Sequence, residues 1–160
     1  MYSFCSDETG VMVGVFSGSS ETEEGWARCI ESVRAADDAA LSSGVPLVCI
    51  LVSEAGRPRP PPVWRRRMAE GQSSVRSPLY SFAFVAPNAL IRGVFTAISW
   101  MVKPPSAGHV TASVATFADA ARWVRKVTGR PYPNIEALYD EALAAPASAG
   151  RIAVATRSAS

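Results

Sequence analysis

The stretch VPLVCILV at residues 45–52 constrains the fold more than any other part of this chain. It is apolar at nearly every position, so it lacks the alternation typical of a strand that has one face in water. Strands that helices cover on both faces, as in parallel sheets, have this continuous apolar pattern. The stretch therefore predicts a central strand of a parallel sheet with helices packed against it.

The segments on either side of this strand alternate between strand and helix patterns. Two short apolar stretches before residue 17 predict a hairpin. The next helix has capping-box spacing at Ser20 and Glu23, and it should end near Ser43 with Gly44 as its stop. Further along the chain we expect a helix over 63–75, a strand over 79–86, a helix over 89–102, a strand over 109–114 and a helix between Thr116 and Gly129.

This order, ββαβαβαβα, predicts an α/β fold with a single-layer mixed, mostly parallel sheet of five strands and about four helices. Residues 134–144 could add a further short helix. A chain of 160 residues fits one domain, which we assign to residues 1–144. Residues 145–160 are mostly small and lack a helix cap, so we expect a disordered tail there.

The composition disfavours several functional classes. No apolar run approaches the roughly 18–20 residues that span a bilayer, and no leader pattern is seen, so we expect a cytoplasmic protein. Cys5, Cys29 and Cys49 form no close pair, and His109 is the single histidine, which argues against a disulfide framework, a metal site or a catalytic triad. The glycines match no dinucleotide or phosphate-loop motif. We therefore expect no cofactor, no metal and no catalytic residues.

Charge is distributed unevenly along the chain. Residues 1–56 carry nine acidic and two basic residues, whereas 57–160 carry five acidic and fourteen basic ones. Six arginines fall within twenty residues, opposed only by Glu70, and five of them form the predicted partner-binding surface: Arg57, Arg59, Arg65, Arg66 and Arg67. The alternatives are a merely solvated face, an acidic protein partner, nucleic acid or anionic lipid. Trp64 is the lone aromatic nearby, which is few for a single-strand nucleic-acid platform.

Arg92 lies four residues after the predicted N-cap Asn88, where a cation meets the positive end of the helix dipole. Such a cation needs an acceptor. We predict an internal carboxylate such as Glu54 or Glu70, and the alternative is an external anion bound by Arg92 and free helix amides.

One region resembles a known family. The stretch FVAPNALIRGVFTAISW at residues 84–100, with the Pro104-Pro105 loop and TFADAARW at 116–123, is similar to bacterial STAS-like proteins, relatives of the anti-sigma-factor antagonist SpoIIAA that are often labelled STAS/SEC14. The resemblance implies a non-catalytic regulatory or binding domain. In some members a serine in an Asp-x-Ser-type motif after the third strand is phosphorylated. The serine at that place here is Ser53, which has no preceding aspartate.

Two functional hypotheses follow. The first is a regulatory or protein-interaction domain that binds a macromolecular partner, most readily a protein, through the arginine-rich helix. The second is a carrier of a small apolar ligand or lipid, which the SEC14 side of the resemblance and the very apolar helix over 89–102 favour. That second hypothesis requires an interior cavity. The sequence leaves the oligomeric state open.

Overall fold

The computed structural model describes residues 1–18, 22–102, 106–146 and 150–151. Within this part of the chain the predicted α/β fold and the order ββαβαβαβα are confirmed. The five predicted strands are β1 (Tyr2–Ser6), β2 (Val11–Phe16), β3 (Leu47–Ser53), β4 (Tyr80–Val85) and β5 (His109–Val114). The helices are α1 (Glu23–Ser43), α2 (Pro62–Ser73), α3 (Ala89–Met101), α4 (Phe117–Thr128) and α5 (Ile135–Ala144), the last over the segment that could add a short helix.

With a sixth short strand, β6 (Gly150–Arg151), the strands form one sheet in the order β5-β4-β3-β2-β1-β6. β1 and β2 are antiparallel, and every other neighbouring pair is parallel. All seven residues of β3 are buried, as its continuous apolar pattern predicts. The sequence did not indicate β6 (Gly150–Arg151), which pairs with Phe4 and Cys5 of β1. It falls within the segment 145–160, most of which lies outside the described residues, so the disordered tail stays a prediction.

The helices cover the two faces of the sheet in a way that follows from strand order. β2, β3, β4 and β5 are added in one direction, and right-handed crossovers then place α1, α2 and α3 on the same face. One apolar cluster joins these three helices to the sheet through residues such as Trp26, Met68 and Phe95. A second cluster on the other face contains α4 and α5, with Val124 and Leu138. α3 packs against α2, β4 and β5.

Helix boundaries agree with the local capping residues. Asn88 caps α3 by accepting from the Leu90 amide, and Thr116 caps α4 by accepting from the Asp119 amide. α1 differs from the prediction, because its N-cap is Thr22, whose hydroxyl accepts from the Gly25 amide at 3.1 Å. The expected cap Ser20 lies outside the described residues. Pro62 begins α2, a position where the missing N–H of proline costs nothing.

A buried carboxylate that the sequence did not single out holds the end of α2 in place. Asp37 of α1 is 3% exposed. One carboxylate oxygen accepts from the amide and hydroxyl of Ser77, at 2.9 and 2.6 Å, and the other accepts from the Arg76 amide at 3.0 Å. The Arg76 side chain also pairs with Asp37 and with exposed Asp38. These bonds fix the connection between α2 and β4 to α1.

Candidate functional site

Arg57 does not belong to the predicted basic surface. It is 7% exposed, and its Nη1 donates to the carbonyls of Ser17 and Gly18, at 2.8 and 3.0 Å. Its guanidinium carbon lies 5.3 Å from the centre of the Phe16 ring. Arg57 therefore fastens the loop after β3 to the end of β2, and the partner-binding surface does not include it.

The other arginines of the predicted surface face solvent to different extents. Arg59, Arg66 and Arg67 are exposed, and Arg65 is half-buried. Arg66 Nε donates to Glu70 Oε1 at 3.0 Å, one turn further along α2. The Arg67 guanidinium carbon lies 4.6 Å from the centre of the buried Trp64 ring, so this side chain packs on that ring.

Arg65 has no carboxylate within 4 Å among the described residues, and its buried Nε has no hydrogen-bond acceptor there. It stands beside Arg66 where α2 faces α3. Arg66 already pairs with Glu70. Of these two arginines, Arg65 is therefore the one that has no carboxylate partner among the described residues.

The exposed part of α2 borders an open groove of about 640 Å³ between α2 and α3. Two arginines, Arg65 and Arg66, line the α2 side together with Pro62. The α3 side is apolar and is formed by Ala89, Leu90, Gly93, Val94, Ala97, Ile98 and Met101. The groove therefore combines an apolar wall with a cationic one.

Residues 89–102 are apolar almost all round, which predicts a well-buried helix, and this prediction is wrong. Only Ile91, Phe95 and Ile98 of α3 are buried, and they belong to the apolar cluster on this face of the sheet. Leu90 and Met101 are each 58% exposed. A helix that is apolar all round but lies on one side of a sheet must present apolar residues outward, so the pattern itself could have indicated this surface.

Trp100 lies at the surface, unlike Trp26. Tryptophans within apolar helix patterns usually pack in the core, and Trp26 is buried. Trp100 is instead 81% exposed, near the C-terminal end of α3. Single exposed apolar residues are common, but Leu90, Trp100 and Met101 occur together on one helix.

Arg92 is satisfied inside the protein, though by other partners than predicted. Its Nη1 donates to the carbonyls of Ala86 and Pro87, at 2.8 and 2.7 Å. The expected carboxylates have other partners, since Glu54 accepts from the Gly18 amide and Glu70 pairs with Arg66. Arg92 thus closes the turn between β4 and α3, and these bonds favour the structural alternative over an anion site.

Ser53 is the last residue of β3, and it is buried. The phosphorylation that the family resemblance implies stays a prediction, and the burial weighs against it because a kinase needs access to the hydroxyl.

Within the described residues, no group of three or more potential ligand side chains is placed to bind a metal ion. In the same part of the chain, none of the helices has both the length and the apolar character that a bilayer crossing requires.

Two cavities beneath the helices are small. A cavity of about 100 Å³ lies beneath α3, lined by Gln72, Phe84, Phe95 and several hydroxyl side chains. Another of about 20 Å³ lies beneath α2. Binding pockets for small organic molecules have volumes of roughly 300–1,000 Å³.

Comparison of this chain with protein-family models, with curated proteins and with solved structures finds no match. The STAS-like resemblance therefore stays an expectation drawn from the sequence.

Proposed function

We propose that this protein is a non-catalytic interaction domain that binds a protein partner through the exposed arginines of α2 and the adjacent outer side of α3. The observation that carries this proposal is the open groove in which Arg65 and Arg66 stand opposite an apolar helix wall. Partner surfaces commonly combine apolar contact area with guanidinium groups that bind carboxylates. A regulatory role, a cytoplasmic location and membership of the STAS-like family are parts of this proposal.

A protein partner fits this surface better than a nucleic acid does. Nucleic-acid platforms place aromatic side chains among the cations so that bases can stack on them. Here the wall of the groove is aliphatic, and the Trp64 ring is buried beneath Arg67. Binding to a flat anionic membrane is also less well supported, because the apolar side chains line a groove between two helices.

The alternative function, a carrier of a small apolar ligand or lipid, has less support. It requires an interior cavity, and the space beneath α3 measures about 100 Å³. That volume is below the size of ordinary ligand pockets. The apolar character of α3, which favoured this alternative in the sequence, is accounted for by its exposed outer side.

Charge reversal tests the proposed function. The variant Arg65→Glu, Arg66→Glu, Arg67→Glu should lose partner capture from a lysate of the source organism while its circular dichroism spectrum stays unchanged. A matched control reverses three exposed charges on or next to α4, on the opposite face of the sheet: Arg122→Glu, Lys126→Glu and Arg130→Glu. The control should capture the partner as the parent does. Undiminished capture by the α2 variant would refute the surface assignment.

A further inference from the structure

We propose that the groove between α2 and α3 accepts an amphipathic helix of the partner protein, with its apolar side on α3 and carboxylates on the flank beside Arg65 and Arg66. This inference rests on the proposed function and names the kind of partner that the same surface fits. Helix-in-groove binding is a common mode of peptide recognition.

The shape of the α3 wall fits a helix. Leu90, Val94, Ala97 and Met101 are spaced by four, three and four residues, so they form one stripe along the helix. From Leu90 to Met101 the stripe is about 17 Å long, or about three helical turns. Ala97 in this stripe and Gly93 beside it have little or no side chain, which lets a second helix backbone approach closely. A Cβ atom added at Gly93 would meet nothing within 4 Å, so this approach is open.

The charge of the groove is one-sided. Arg65 and Arg66 line the α2 side, whereas the residues of α3 that line the groove are all uncharged. Two carboxylates that are one turn apart lie on the same flank of a helix. We therefore expect both carboxylates of a docked helix on the flank that faces α2. Arg65, which has no described carboxylate within 4 Å, gains most from such a partner.

Charge complementarity also decides between possible occupants. In a symmetric contact between two copies, α3 of one copy would enter the groove of the other. α3 contains Arg92 and no acidic residue, so it cannot supply carboxylates to Arg65 and Arg66. The C-terminal stretch 147–160 is equally unsuited, because it contains Arg151 and Arg157 and no acidic residue. A helix of a partner protein that carries carboxylates on one flank supplies this charge, which neither a symmetric dimer nor the C-terminal stretch does.

A displayed library of helical peptides tests this inference on the full chain. Peptides of about 16 residues, long enough to span the groove, keep one apolar side of Leu and Ala, and both flanks vary among Glu, Gln and Lys. Selection on the parent protein should enrich Glu on one flank only. Binding of the enriched peptide should fall at least about tenfold for Arg65→Gln combined with Arg66→Gln, and it should stay unchanged for the control Arg122→Gln.

A substitution that fills the groove gives an independent measurement. Gly93→Phe places a ring where the Cβ position is open, and any residue is a better helix former than glycine except proline, so the variant should fold. It should abolish peptide binding, whereas Gly93→Ala, which adds only a methyl group, should bind the peptide within a few-fold of the parent. Circular dichroism and thermal melting are used to check that both variants are folded.

Several results would overturn the inference. They are a library that enriches no peptide, enrichment of Lys or Gln in place of Glu, and full binding of the selected peptide by Gly93→Phe. A concentration-dependent dimer that Gly93→Phe dissociates would assign the groove to a second copy of the chain. Binding to vesicles of phosphatidylcholine and phosphatidylserine that is lost in Gly93→Phe would assign it to a membrane surface.

Failure of the inference can be separated from failure of the proposed function. If Gly93→Phe captures the natural partner fully while the triple charge reversal on α2 does not, the basic surface binds a partner that leaves the groove empty. If neither variant affects capture, the proposed function fails as well.

Discussion

Replacement of Asp37 by alanine tests whether one buried carboxylate holds the connection between α2 and β4. The substitution leaves the amide and the hydroxyl of Ser77 without their acceptor, and Ser77 is itself 1% exposed. It also removes the acceptor of the Arg76 amide. Water cannot easily reach the Ser77 donors, so their desolvation is no longer compensated.

The size of the effect follows from these lost bonds. A buried donor that loses its acceptor costs about 1–3 kcal/mol, and two such donors give an expected loss of roughly 3–5 kcal/mol in the free energy of unfolding. For a chain of this size, each kcal/mol lowers the melting temperature by about 2–4 °C. We therefore expect Asp37→Ala to melt about 10 °C below the parent in calorimetry or circular dichroism.

Asp38 provides the matched control. It contacts the same Arg76 side chain, but its own side chain is 67% exposed. Exposed ion pairs contribute about 0–1 kcal/mol, so Asp38→Ala should change the melting temperature by at most a few degrees. If the two variants melt at the same temperature, Asp37 does not hold this connection, and the reasoning from its hydrogen bonds is refuted.

Three further predictions concern other parts of the chain. Arg92→Ala should lower the free energy of unfolding by about 1–2 kcal/mol, because the carbonyls of Ala86 and Pro87 lose their donor. Phosphate should stabilise the parent and the variant equally in thermal melts, and anion stabilisation that is specific to the parent would contradict this. Gly93→Ala should raise stability by about 0.5–1 kcal/mol in urea unfolding, since the added methyl group meets open space in a helix, and a lower midpoint would speak against it. Burial raises the pKa of the Cys29 thiol to about 12 and that of the Cys49 thiol further. Both thiols should therefore resist a disulfide reagent at mildly alkaline pH in the native protein and react only after denaturation. Fast labelling of the native protein would show that these thiols are accessible.

Much of the fold could be predicted from the sequence, because the relevant signals are local. The continuous apolar pattern of β3 follows from its burial on both faces of the sheet. Asn88, Thr116, Gly44 and Gly129 mark helix ends through bonds or backbone angles that involve only residues a few positions away. Alternation of helices and strands then implied parallel pairing through right-handed crossovers.

The candidate site could be predicted only in part. The sequence indicated a basic surface on α2, and Arg65 and Arg66 do lie on the groove. It could not separate these residues from Arg57, because the difference lies in a contact with the carbonyls of Ser17 and Gly18, about forty residues earlier in the chain. The apolar pattern of α3 predicts a buried helix, and only the packing of α3 leaves its outer side exposed.

The sequence by itself determined that β1 to β5 are strands and α1 to α4 are helices, and where most of them begin and end, since those properties depend on neighbours along the chain. Only the tertiary structure decided which side chains of α2 and α3 meet at the groove. The order of strands in the sheet places α1, α2 and α3 on one face, and α3 packs against β4, β5 and α2, which leaves its outer side to solvent. That packing brings two arginines of α2 beside an exposed apolar stripe, a juxtaposition that depends on the path of the chain through space and leaves no periodic pattern in the sequence.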